Sequence, residues 1–141
     1  MRMLDLSIAI SVCVVVVSVE AEERAMTDEQ KIQGTWQLVA GERHGKAFSD
    51  EMVKGVTLSF TKDVLTTKNK DRESNAKFRL RSDIAPKGID LTMDGSVGEG
   101  IYALEGDDLK ILHGEVGDPR PATFDPKAFP TSSLLILRRK P

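Results

Sequence analysis

Two histidines, His44 and His113, are the only imidazoles in the chain, and each has a glutamate close by, Glu42 and Glu115. These are donor types from which a zinc site is built, but such a site takes three or four ligands in close approach. Nothing in the spacing brings the two pairs together, because one follows an early strand pattern and the other ends a late one. Both histidines read as exposed residues at loop ends, and no metal is expected. Serine chemistry needs an activated hydroxyl with a histidine and an acid. Ser132 and Ser133 precede an apolar run with no glycine elbow to present them. The acid pairs Asp90 with Asp94 and Asp107 with Asp108 read as solvent-facing strand and turn residues, not as a glycosidase pair. The run Gly95-Ser96-Val97-Gly98-Glu99-Gly100 lacks the Lys-Ser/Thr and the following helix of a phosphate loop, and reads as a hairpin connection. Lys77, Arg79 and Arg81, with Lys68, Lys70 and Arg72 before them, form a basic stripe. A solvated outer face explains that stripe; contact with an anionic polymer or lipid headgroup is the functional alternative. No acid, base, nucleophile and metal set converges, so neither a catalytic residue, a cofactor nor an enzyme activity is expected.

Composition points the same way. The chain has 141 residues, 40% hydrophobic and 30% charged, which suits one globular domain. With 20 Lys and Arg against 22 Asp and Glu, there is no basic field for a nucleic-acid backbone. Residues 6–19 form an almost uncharged apolar run, preceded by Arg2 and Asp5 and followed by Val19-Glu20-Ala21. That is the pattern of a secretory signal, shorter than the roughly 20 residues of a membrane span. An uncleaved anchor or a buried strand is the alternative. Ser11-Val12-Cys13 lacks lipobox context, and cleavage after Ala21 leaves no cysteine. The expected organisation is a signal peptide over 1–21, a polar tail over 22–32 and one domain over 33–141. Export is expected, to the periplasm or outside, with no stable membrane span after cleavage.

The domain itself reads as strands. Thr27-Asp28-Glu29-Gln30 offers a helix start; from Gln33 the period becomes two. Trp36, Leu38 and Ala40 alternate with Thr35, Gln37 and Val39, and Val56, Leu58 and Phe60 alternate with threonines and a serine. Val64 to Thr67 pairs back across Thr61-Lys62-Asp63. Ala76, Phe78 and Leu80 form one inward face, and Ile89, Leu91 and Met93 another. Ile101 to Leu104 and Leu109 to Leu112 flank the turn Glu105-Gly106-Asp107-Asp108. Leu134 to Leu137 closes the chain without a clear in/out choice. A proline-rich connection from Pro119 to Pro130 carries Phe124 and Phe129, expected to dock on the barrel. Ser49 caps a short helical turn near residues 49–54. The fold expected is all-β, an antiparallel up-and-down meander of about eight short strands closed into a barrel, since closure removes raw edges. A sandwich is the competing architecture.

Gly34-Thr35-Trp36 resembles the Gly-x-Trp signature of lipocalins and related calycin barrels. In those folds a late arginine packs across the tryptophan and plugs the closed end, which implies that role for Arg138 or Arg139 here. The match lengthens through Gly41-Glu42-Arg43-His44-Gly45-Lys46, Ile89-Asp90-Leu91-Thr92, residues 100–111 and Arg120-Pro121-x-x-Phe124. Over roughly residues 32–139 the chain resembles a small exported domain of unknown function much repeated in planctomycete bacteria and described as lipocalin-like. The resemblance implies a lipocalin-like β-barrel and export, and supplies no catalytic residues. Related sequences commonly carry a cysteine just after the strand Leu109-Lys110-Ile111-Leu112, where this chain has His113 nearby.

Two functions from different classes are consistent with these features. The first is binding of a small apolar or amphipathic molecule at the open end, with Phe60, Phe78, Leu80 and Met93 as contacts. The second is a protein-interaction module with a filled core, protease-inhibitor-like or a structural platform, whose residues 22–30 would enter a protein partner. An eight-stranded barrel is just wide enough for either a filled core or one small ligand.

Overall fold

The computed structural model describes residues 26–141; the expected signal at 1–21 lies outside them. Alternating apolar and polar side chains produce nine strands: β1 (Gly34–Arg43), β2 (Lys46–Ala47), β3 (Val56–Thr61), β4 (Val64–Asn69), β5 (Arg72–Arg81), β6 (Gly88–Met93), β7 (Ser96–Glu105), β8 (Asp108–His113) and β9 (Ser133–Arg139). Two short helices, α1 (Asp28–Lys31) and α2 (Asp50–Gly55), precede β1 and β3, and a 3-10 turn covers Pro126–Ala128. The Ser49 hydroxyl accepts the Met52 N–H and starts α2.

Every pairing is antiparallel, in the order β1-β3-β4-β5-β6-β7-β8-β9, and β9 pairs back onto β1. The result is a closed eight-stranded up-and-down barrel, with β2 as a two-residue flap hairpinned to the end of β1. The competing sandwich is excluded, because one continuous sheet closes on itself. Closure also leaves the eight strands no free edge to recruit another chain.

One end of the barrel is filled. Trp36, Leu58, Phe60, Phe78, Leu80, Ile89, Tyr102, Leu109, Ile111 and Leu137 form a continuous buried core. Phe60 and Phe78 meet edge to face at 5.0 Å between centroids, the geometry that the ring quadrupoles favour. The segment before β1 closes this end. Thr27 and Gln30 form a reciprocal capping box on α1, and Ile32 is fully buried. Trp36 Nε1 donates to the Ile32 carbonyl at 2.9 Å, and the Arg139 guanidinium lies 4.3 Å from the indole centroid. Arg139 also donates to the carbonyls of Gln33 and Lys31. Arg138, one residue earlier, points outward and is exposed, 3.4 Å from Asp108. Of the two late arginines only Arg139 stands on Trp36. Gly34 has φ +114°, a region costly for any side chain, and a Cβ there would stand 3.4 Å from Arg139 Nη1.

Asp28 fastens α1 to the wall. Its carboxylate accepts Tyr102 Oη at 2.6 Å and Lys87 Nζ at 2.9 Å. Burial alone would raise the Asp28 pKa, but these hydrogen bonds outweigh it and hold the carboxyl below its ordinary value. Burial first, then Asp28, pushes the Tyr102 phenol up.

A second apolar layer lies outside the barrel. Ile101 and Leu112 are opposite each other across β7 and β8, face away from the core, and are fully buried. The connection from β8 to β9 crosses this face. Arg120 holds it there, donating to the Gly100 carbonyl at 2.8 Å and to Asp90 Oδ1 at 2.6 Å. Phe124 docks under Lys110, whose ammonium is 5.0 Å from the ring centroid.

Candidate functional site

The other end of the barrel is open, and the reason lies in β1. The β1–β9 register slips between Leu38 and Ala40, a bulge that adds one residue to β1. Trp36 and Leu38 face inward as expected from their alternation, but Ala40 does not continue that face and is exposed. Beyond the bulge the inward positions are Gly41 and Arg43, opposite Leu135 and Ser133 on β9. A bulge re-aims the side chains that follow it, and this one brings the exposed Arg43 to the rim of the inner wall.

A glycine then makes room for a cover over the mouth. A Cβ on Gly41 would overlap the Leu134 carbonyl oxygen and stand 2.9 Å from the Phe48 ring, so Phe48 can fold across the mouth only because residue 41 is glycine. Met52 of α2 lines the same cavity as Phe48. The helix is anchored by Gln37, whose Nε2 donates to the carbonyls of Val53 at 2.9 Å and Val56 at 3.0 Å.

Between these covers and the filled end lies a cavity of about 330 Å³. Its floor and walls are apolar: Leu38, Leu58, Leu65, Ala76, Leu91 and Leu135. Thr67, Asn69 and Ser74 add hydroxyl and amide groups, and among the described residues Arg43 is the only charged side chain lining it. A neighbouring depression of about 350 Å³ shares Arg43, Leu91, Met93 and His113 with the cavity and extends it outward.

A polar row crosses the mouth. Gly100, His113, Ser133 and Arg43 are direct cross-strand partners on β7, β8, β9 and β1. Arg43 Nε donates to Ser133 Oγ at 3.2 Å. Gly100 lets β8 approach closely here, since a Cβ on it would stand 2.7 Å from the Leu112 carbonyl oxygen and 2.8 Å from His113 Cβ. His113 had been expected at an exposed loop end; it is instead the last residue of β8 and is largely buried. Burial, with the nearby Arg43 charge, lowers its pKa against a smaller opposing contribution from the Gly114 carbonyl. The imidazole is therefore neutral at pH 7.

This has a measurable consequence. A base whose pKa falls on folding leaves the unfolded chain binding more protons, so stability rises with pH through that window. The His113 contribution is complete above the unfolded value near 6.5 and is lost as pH falls toward the lower folded value. The slope is at most about 1.4 kcal/mol per pH unit. Asp28, with a lowered carboxyl, loses its own contribution only in the more acidic range below about 4. Urea midpoints at pH 7.5, 6.5 and 5.5 should fall for the wild type and stay nearly level for His113→Gln; parallel slopes would exclude His113 as the source.

The remaining expected residues distribute along the barrel axis. Phe60, Phe78 and Leu80 sit in the filled core, each under 8% exposed, and do not line the cavity. Met93 does line it, half exposed at the rim. His44 lies outside the cavity on the β1–β2 turn, with Nε2 3.0 Å from Glu115 Oε1, and both are exposed. No group of three His, Cys, Asp or Glu side chains that could hold a metal occurs among the described residues. No helix among them is long and apolar enough to cross a membrane. Arg43, Phe48, Met52 and Leu135 were missed as site residues. The one local signal for them was Gly41 followed two residues later by an arginine at a strand end.

No family model matches the chain, and no curated protein or solved structure matches it either.

Proposed function

We propose that the protein is an exported, lipocalin-like carrier that binds one small apolar or amphipathic molecule in the mouth of its barrel. The observation that supports this most is the cavity of about 330 Å³, apolar on its walls and polar at its rim. Its size falls at the lower end of the roughly 300–1,000 Å³ typical of small-molecule sites. Apolar walls with a few convergent polar groups are how such sites combine affinity with orientation. An interaction module with a wholly filled core would have no use for this space. The inhibitor version of that alternative relies on residues 22–30, yet Thr27 to Gln30 are held in a capping box and Asp28 is bound to the wall.

Native mass spectrometry tests the proposal. Protein purified from its own host without denaturant should carry a small adduct that leaves on gentle activation. The delipidated protein should take up one molecule of 1-octanol. Ala76→Phe places a ring into the cavity and should abolish both. A bare wild-type protein that also ignores octanol would exclude a binding function for the cavity.

A further inference from the structure

We infer that the bound molecule is a small monoanionic amphiphile, with a carboxylate on Arg43 and an apolar tail of about seven carbons in the cavity. The inference rests on the cavity being a binding site and specifies its ligand. Four arginines, Arg81, Arg120, Arg138 and Arg139, have aspartate partners. Arg43 has no carboxylate within ion-pair distance among the described residues. Its one hydrogen bond there runs from Nε to Ser133 Oγ. That bond fixes the plane of the guanidinium while leaving its two terminal nitrogens for another acceptor. The head stands where the cavity and the outer depression meet.

Charge selects the ligand class. Arg43 is exposed at the mouth, and a single cation beside an apolar wall favours one negative charge even where solvent screens it in part. A planar fork of N–H donors suits a carboxylate in particular. A cationic head would be repelled, and a dianionic phosphate would bring a second charge for which the cavity lining offers no second arginine or lysine among the described residues. Size selects the tail. A cavity of about 330 Å³ lies at the lower end of the range for small-molecule sites and suits a ligand of roughly ten non-hydrogen atoms. Octanoate has that size, and 1-octanol is its uncharged counterpart.

Isothermal titration calorimetry at pH 7.5 and low salt, with sodium octanoate and 1-octanol as probes, tests this against the wild type and Arg43→Met. The wild type should bind octanoate about tenfold or more tightly than octanol, as expected for a charge-assisted bidentate contact. Arg43→Met keeps a long apolar side chain, so octanol affinity should change less than threefold while the preference for octanoate disappears. Rising salt should weaken octanoate and leave octanol alone. Equal binding of both probes by the wild type would overturn the anionic ligand and leave the cavity as a binding site. A preference that survives in Arg43→Met would overturn the role of Arg43. Binding of neither probe would overturn this inference together with the reading of the cavity.

Discussion

Replacing Trp36 with alanine should cost about 3–5 kcal/mol, the range for removing a large buried aromatic side chain, and lower the melting temperature by roughly 10–20 °C for a domain of this size. Trp36 is fully buried at the closed end and touches three kinds of partner at once. Its ring packs in the core, its N–H satisfies the Ile32 carbonyl, and its face receives Arg139. Alanine leaves a cavity, an orphaned carbonyl and a guanidinium without its aromatic support. Arg139→Met should cost about 2–4 kcal/mol, because the stacking is lost and the carbonyls of Gln33 and Lys31 lose their donor. Arg138→Met, on the exposed face, should stay within about 0.5 kcal/mol. Thermal unfolding followed by circular dichroism distinguishes them. Equal losses at Arg138 and Arg139 would show that the closed end is not held by the arginine over the indole. The double variant of Trp36 and Arg139 should be less than additive, since both remove the same contact.

These contacts explain how far the fold could be read in advance. Strict alternation in β3, β5 and β6 shows the inner face directly, because a strand's side chains point to opposite sides in turn. Turn residues such as Glu105-Gly106-Asp107-Asp108 mark the hairpins, and a meander of this length closes on itself. Alternation says which side of the wall a residue faces and nothing about its depth along the axis. Phe60, Phe78 and Leu80 were for that reason expected around a ligand, whereas they fill the closed half. The continuous apolar runs of β7 and β8 also carried a second meaning. Ile101 and Leu112 are buried on the outer face, and burial on both sides of a sheet erases the alternation.

The site was harder to read than the fold for a specific reason. Whether Arg43 points into the barrel depends on the extra residue at Leu38–Ala40, and that bulge is decided by how β9 pairs with β1, not by the pattern of β1 alone. Extending the alternation of Trp36 and Leu38 sends residue 40 inward and leaves Arg43 in a loop. His113 was obscured in a similar way. It lies directly opposite Gly100, thirteen positions earlier on the neighbouring strand, where an added side chain would collide with His113 Cβ. Neither relationship is local, so each becomes visible only when the two paired strands are in place.

Gly41→Val is the substitution that tests this geometry most severely, and it should cost about 3 kcal/mol or more. Overpacking usually costs about 1–3 kcal/mol because neighbouring side chains can move. Here the first obstacle is the backbone carbonyl of Leu134, which is held in the β9 strand that closes the barrel. Relief requires β1 and β9 to part beside Leu135, and Phe48 to leave the mouth. The effect should therefore appear twice: a large drop in the urea midpoint, and loss of octanoate binding at temperatures where the variant is still folded. Gly45, on the exposed turn after β1, has nothing within 4 Å of an added Cβ. Its φ of +80° makes Gly45→Asn the appropriate control, since asparagine tolerates that conformation better than valine. It should lose about 1 kcal/mol or less and retain binding. A Gly41→Val protein with wild-type stability would mean that β1 and β9 do not close at this position. If its stability fell but octanoate affinity did not, the barrel would depend on the glycine while the mouth did not.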